Sequence, residues 1–191
     1  MGAEGWGWDA NSKTLTLDGL NLNVAGADAA IIIPANSKIV LAGDNTVSCA
    51  GPAPGSYYGY GLLCVGGGTL TIEGGGTLSL HGDMPGQAWW CPSAGLYGDD
   101  IAITIKGSAS VTLSANHADS YADGAAHGIY TVNGISIIIE DKAELVLKGK
   151  KGVIHGTATL TYPSGYEIKG WTGSDYTVDV THSSGKVSFL V

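Results

Sequence analysis

GLLCVGGGTLTIEGGGTLSLHG, residues 61–82, is three short alternating segments split by glycine turns. Apolar residues at every second position mark strands with one buried face. The pattern recurs as AIIIPANSKIVLAGDNTVSCAG (30–51), GLYGDDIAITIKGSASVTLSAN (95–116) and GIYTVNGISIIIEDKAELVLKG (128–149). A unit this short cannot bury its apolar face alone, so neighbouring copies must cover it. The expected fold is all-β: a right-handed parallel β-helix of about five coils, capped at both ends.

The columns of that stack can be written down. First strands start at Ile31, Leu62, Leu96 and Ile129. Second strands point inward at Ile39/Leu41, Leu70/Ile72, Ile103/Ile105 and Ile137/Ile139, and third strands at Val47/Cys49, Leu78/Leu80, Val111/Leu113 and Leu145/Leu147. The step from second to third strand is 8 in every copy (39 to 47, 70 to 78, 103 to 111, 137 to 145), which predicts one register throughout. TLTLDGLNLNV (14–24) is an incomplete coil, with Leu15 and Leu17 matching Ile39 and Leu41. After Lys150-Lys151 the pattern decays: Val153 starts a last coil, and Leu160 and Tyr162 echo its second strand. The expected layout is an N-terminal cap over 1–13, coils over 14–162 and a C-terminal cap over 163–191. Trp6 and Trp8 are expected to cover the first coil. YTVDV (176–180) and KVSFLV (186–191) read as a closing hairpin, with Trp171 beside it.

Composition agrees. The 191 residues include 31 Gly, suited to many tight turns, yet aliphatic residues are plentiful enough for a core. The net charge is −8, with nine Lys and no Arg, a poor surface for nucleic acid. No apolar run reaches the roughly 20 residues of a membrane-spanning helix, so membrane insertion is not expected. Met1-Gly2 lacks the apolar run of a signal peptide, and the expectation is a mature domain separated from its leader. Three cysteines make no disulfide framework; Cys49 and Cys64 fall in inward columns and read as buried thiols, and Cys91 as a loop residue. Asn36, Gly67, Asp100 and Gly134 share one turn, so Asp99-Asp100 reads first as turn chemistry and only second as a catalytic pair. Glu73, Lys106 and Glu140 form an outward column of alternating charge.

The third-to-first connections are uneven. Val24 to Ile31 is 7 residues, Cys49 to Leu62 13, Leu80 to Leu96 16, Leu113 to Ile129 16 and Leu147 to Val153 6. Insertions at one corner of a stack land on one face, so the loops 50–60, 81–94 and 114–127 lie side by side. They hold Tyr57, Tyr58, Tyr60, Trp89, Trp90 and Tyr121, with Tyr97 and Tyr130 at their exits beside Leu63. Exposed rings offer flat apolar area with polar tips, which suits the C–H faces of sugars; rings that only pack the loops down are the competing reading. Tyr57, Tyr58, Trp89, Trp90 and Tyr121 are the candidate sugar-stacking residues. Asp83, Asp119 and Asp123 are candidate ligands for a hard cation such as Ca²⁺, although with His117 and His127 they also read as solvated loop polars or a Zn²⁺ set.

The phrases WGWDANSKTLTLDGLNLNV, IPANSKIVLAGDNTV, GGTLTIEGGGTLSL and ITIKGSASVTL resemble bacterial cell-surface carbohydrate-binding-domain proteins with a right-handed parallel β-helix. Among these are calcium-dependent polysaccharide-binding proteins of anaerobic bacteria. The resemblance covers roughly residues 6–160. It implies a secreted or wall-attached protein, Ca²⁺, and a polysaccharide ligand of plant or host origin, bound without catalysis. Two alternatives stand beside it. One is a structural spacer or adhesin module. The other is a pectinolytic lyase or hydrolase, for which Asp99-Asp100 and His127-Gly128 are fragmentary matches and the absence of Arg is a mismatch.

Overall fold

The computed structural model describes residues 5–51, 58–84, 92–117, 126–149, 153–164, 167–169 and 176–181. Among them every regular element is a strand. β1 (Trp6–Asp9) precedes β2 (Thr14–Asp18) and β3 (Asn21–Ala25). Three circuits of three strands follow: β4 (Ala29–Pro34), β5 (Ser37–Ala42), β6 (Asp44–Ala50); β7 (Gly59–Val65), β8 (Gly68–Gly74), β9 (Thr77–Met84); β10 (Ser93–Gly98), β11 (Ile101–Ile105), β12 (Ser110–His117). A fourth holds β13 (Ala126–Tyr130), β14 (Ile135–Ile139) and β15 (Glu144–Gly149). β16 (Ile154–His155) and β17 (Ala158–Thr161) begin another, and β18 (Glu167–Lys169) and β19 (Tyr176–Thr181) end the described chain.

The strands make three sheets. One runs β1-β2-β5-β8-β11-β14-β17, the second β16-β13-β10-β7-β4 and the third β18-β19-β15-β12-β9-β6-β3. Sequence neighbours therefore sit in different sheets, and each strand pairs in parallel with its counterpart one circuit away. The antiparallel exceptions are β1 on β2, and β19 between β15 and β18.

Alternation decides the inside. On β11 Ile101, Ile103 and Ile105 are buried and Ala102 and Thr104 are not. The same residue types stack circuit on circuit: Leu62, Leu96, Ile129 and Ile154 in one sheet, Leu70, Ile103 and Ile137 in another, Leu78, Val111 and Leu145 in the third. They join one continuous core. Cys49 and Cys64 are buried thiols within these columns, and burial pushes the Cys49 thiol up to about 11.

Register departs from the expected columns at one place. Between the circuits of β5 and β8, Ser37 lies opposite Leu70 and Ile39 opposite Ile72; between β6 and β9, Asn45 lies opposite Leu78 and Val47 opposite Leu80. Both strands are shifted by two residues, so the 8-residue step survives and inward residues stay inward. The buried polar groups this creates are satisfied. Ser37 Oγ donates to the Pro34 carbonyl at 2.7 Å. Asn45 Oδ1 accepts from Leu20 N at 2.9 Å, and its amide donates to the carbonyls of Ala42 and Thr77, both at 3.0 Å. Leu41 then faces Gly74, where a β-carbon would collide with the Leu41 backbone.

Smaller corrections follow. Ile154, not Val153, continues the inward first-strand column. In the first corner Asn36, Asp100 and Gly134 adopt left-handed backbone as expected, but in the second circuit Gly66 and Gly68 do so, not Gly67. β19 pairs with β18 and β15; its expected partner at 186–191 lies outside the described residues, as does Trp171. Of the charge column, Glu73 bridges Lys106 at 3.2 Å and also Lys38 at 2.9 Å, an added partner.

Candidate functional site

The corner between third and first strands is the region of interest. Third strands reach further into it than expected: β9 extends to Met84 and β12 to His117. First strands leave it through glycines that face the third sheet. A β-carbon on Gly95 would stand 2.6 Å from Ser114 N, and one on Gly128 2.9 Å from the Leu113 carbonyl. Only glycine permits two strands to pack this closely.

Just past those glycines, the outer face of the first-strand sheet carries a file of rings. Leu63, Tyr97, Tyr130 and His155 oppose one another in register. Tyr60 lies in the adjacent column between Ala29 and Ala94, whose small side chains leave room for its ring. The rings stack continuously: Tyr58 on Tyr60 at 5.4 Å, Tyr60 on Tyr97 at 5.0 Å, Tyr97 on Tyr130 at 5.7 Å and Tyr130 on His155 at 4.4 Å. Parallel in-register strands lie about 4.8 Å apart, so like side chains in one column meet face to face. Tyr60 is fully buried, with its hydroxyl unpartnered among the described residues. Burial, with neighbouring phenols, holds it neutral far above the ordinary tyrosine range.

Asp99 anchors this file. Tyr97 donates its hydroxyl to Asp99 Oδ2 at 2.6 Å, while Asp99 Oδ1 accepts from Val132 N at 2.6 Å, Thr131 Oγ1 at 3.1 Å and Asn133 N at 3.3 Å. Partial burial works to raise the Asp99 pKa; the hydrogen bonds outweigh it and hold the carboxyl below its ordinary value. Burial first, then the Asp99 carboxylate, raises Tyr97. Oδ1 thus joins Asp99 to the next circuit while Oδ2 holds Tyr97 of its own; the turn reading expected Asp99 to bond its own main chain, and it bonds that of the neighbouring circuit instead.

Across the same corner, the outer face of the third-strand sheet is polar. Ser48, His81, Ser114 and Lys148 form one row, and Ala50, Asp83 and Asn116 the next. His81 Nδ1 lies 2.9 Å from Ser114 Oγ. Burial lowers the His81 pKa and Asp83 partly restores it.

Of the expected sugar-stacking residues, Tyr58 ends the ring file, 43% exposed; Tyr57, Trp89, Trp90 and Tyr121 lie outside the described residues. Asp83 stands on a strand rather than in a loop, and Asp119 and Asp123 lie outside the described residues. One carboxylate beside Asn116 falls short of the six to eight oxygens that Ca²⁺ takes, and no cluster of three potential metal ligands occurs among the described residues. The site residues missing from the expected set are Tyr60, Tyr97, Tyr130 and His155. Their signal was the column itself, since Tyr97 and Tyr130 each follow an inward first-strand residue by one.

No family model, curated protein or solved structure matches this chain.

Proposed function

We propose that the circuits form a right-handed parallel β-helix of about five coils, and that this scaffold serves as a non-catalytic polysaccharide-binding module of a secreted or cell-surface protein. Binding runs through the connections 50–60, 81–94 and 114–127. The observation that carries this reading is the concentration of outward-facing rings at one corner, beside the three long connections. Tyr58 presents its exposed face there, and the row Ser48, His81, Ser114 offers hydroxyl and imidazole partners across the corner. Stacking on one ring is modest, so a single module binds weakly and gains from many copies on one surface. Calcium enters as a bridging ion that Asp83, Asp119 and Asp123 would share with an acidic glycan.

The test is retention on insoluble plant and host polysaccharides, with and without EDTA. The parent should be retained, and Trp89→Ala combined with Trp90→Ala should abolish retention while the melting temperature holds. Loss of retention in EDTA would assign the ion a role. Parent protein that binds no polysaccharide would overturn the reading in favour of a spacer module. One observation favours that second reading: Tyr60, Tyr97 and Tyr130 spend their faces on one another, with Tyr60 buried and Tyr97 and Tyr130 half-buried.

A further inference from the structure

The first-strand sheet stops one circuit short at the N-terminal end. β2 and β3 form a layer beyond β4, and β1 adds a further strand on β2, whereas nothing among the described residues pairs with the outer edge of β4. A strand-shaped slot results. Its floor is the open end of the core, with Leu15, Leu22 and Ile31; its roof is Trp6 and Trp8, opposite Leu17 and Leu15 on the inward face of β1. The cavity measures about 900 Å³. Trp6 and Trp8 remain 44% and 39% exposed, and Ile32 on the β4 edge 63%.

We infer that this slot accepts one extended peptide strand, apolar at alternate positions and flanked by basic residues, which adds to the β4 edge. The chemistry of the walls selects peptide over sugar. Asn21 is the one polar side chain in the lining, whereas a sugar needs many hydroxyl partners. The β4 edge instead offers the backbone amides and carbonyls that a strand requires. The shape selects one strand over a second folded copy. A two-fold pairing of β4 edges would keep both cores on one side of the joined sheet. The projecting β2 and β3 of each copy would then run into the other. Charge sets the flanks: the lining carries none, and the rim has Asp28 where β4 begins and Asp9 with Lys13 where it leaves, while Lys38 beside Lys13 is held by Glu73 at 2.9 Å. The slot lies away from the corner proposed to bind polysaccharide, so the two readings fail separately.

The probe is the synthetic peptide Lys-Lys-Val-Thr-Val-Thr-Val-Lys-Lys, titrated calorimetrically and by amide exchange over residues 30–33. Binding should protect those amides. Trp8→Ala and Ile32→Asp should each weaken it at least tenfold, and Val132→Asp, a comparably exposed apolar position elsewhere, should leave it unchanged. The same peptide with proline at each of the five central positions, unable to donate from the backbone of that segment, should not bind. The inference is overturned if the parent ignores the peptide, if the proline version binds as well, or if cellohexaose displaces the peptide and binds in a Trp8-dependent way itself.

Discussion

Each circuit turns two corners on its way from first to third strand, and the two obey different rules. From second to third strand the step is eight residues in every complete circuit: Ser37 to Asn45, Leu70 to Leu78, Ile103 to Val111, Ile137 to Leu145. From first to second strand it varies: five residues from Ile32 to Ser37, seven from Leu63 to Leu70, six from Tyr97 to Ile103 and seven from Tyr130 to Ile137. The constant corner is closed by a run of backbone bonds between circuits, such as Thr77 N to the Gly43 carbonyl at 2.9 Å, with the Asn45 side chain as a plug. The variable corner adds capping side chains to its backbone bonds: Asn36 Oδ1 accepts from Thr69 N at 3.2 Å, and Asp99 gathers four donors. A side chain that caps a turn tolerates an added residue, so length drifts there and register drifts with it.

The largest effect should separate the inside of the stack from its outside. Ile105→Asp places an unpaired charge in the core and should cost about 4 kcal/mol or more, enough to unfold the domain. Lys106→Asp, one residue on, faces Glu73 in solvent and should cost about 1 kcal/mol or less. Similar melting temperatures for the two would break the assignment of faces.

Asn45→Ala probes the constant corner. It would leave Leu20 N and the Thr77 carbonyl without their partner and should cost about 2–4 kcal/mol by urea unfolding. A change under about 0.5 kcal/mol would mean that the corner does not depend on this plug.

Much of this was legible in sequence because alternation reports the buried face directly, and a two-residue error leaves it unchanged. Ile39 and Ile72 are inward under either register. What alternation cannot reveal is a buried polar residue that the fold satisfies. Ser37 and Asn45 look like surface turn residues, and aligning Ile39 with Leu70 matches apolar to apolar more neatly than the chain does. At the candidate site the outward column at Tyr97 and Tyr130 was visible, yet their stacking was not. Ring contact depends on registry across circuits and on alanines at 29 and 94 that carry no signal of their own.

A smaller effect belongs to Asp99. Its folded-state pKa is depressed, so the stability it adds is present above about pH 4 and is lost as pH falls through the folded value. Tyr97 is raised, so its contribution is present below about pH 10 and fades as pH rises. Asp99→Asn should lower stability by about 1–2 kcal/mol at pH 7 and flatten the acid limb of melting temperature against pH. An unchanged acid limb would show that the variable corner is held by something else. The least effect is expected for Lys38→Ala, which removes one of two partners of a half-buried Glu73 and should cost about 0.5 kcal/mol.

The shift of register between the first and second circuits is tested most directly by disulfide trapping in a Cys91→Ser background. Val40 lies opposite Glu73, at the roughly 4.8 Å spacing of adjacent strands. The unshifted alignment would place it opposite Thr71. A two-residue offset carries the α-carbons beyond about 7 Å, the limit for a disulfide. Val40→Cys with Glu73→Cys should therefore cross-link on mild oxidation, and Val40→Cys with Thr71→Cys should not. The reverse outcome would restore the unshifted columns and contradict the placement of Ser37 and Asn45 described here.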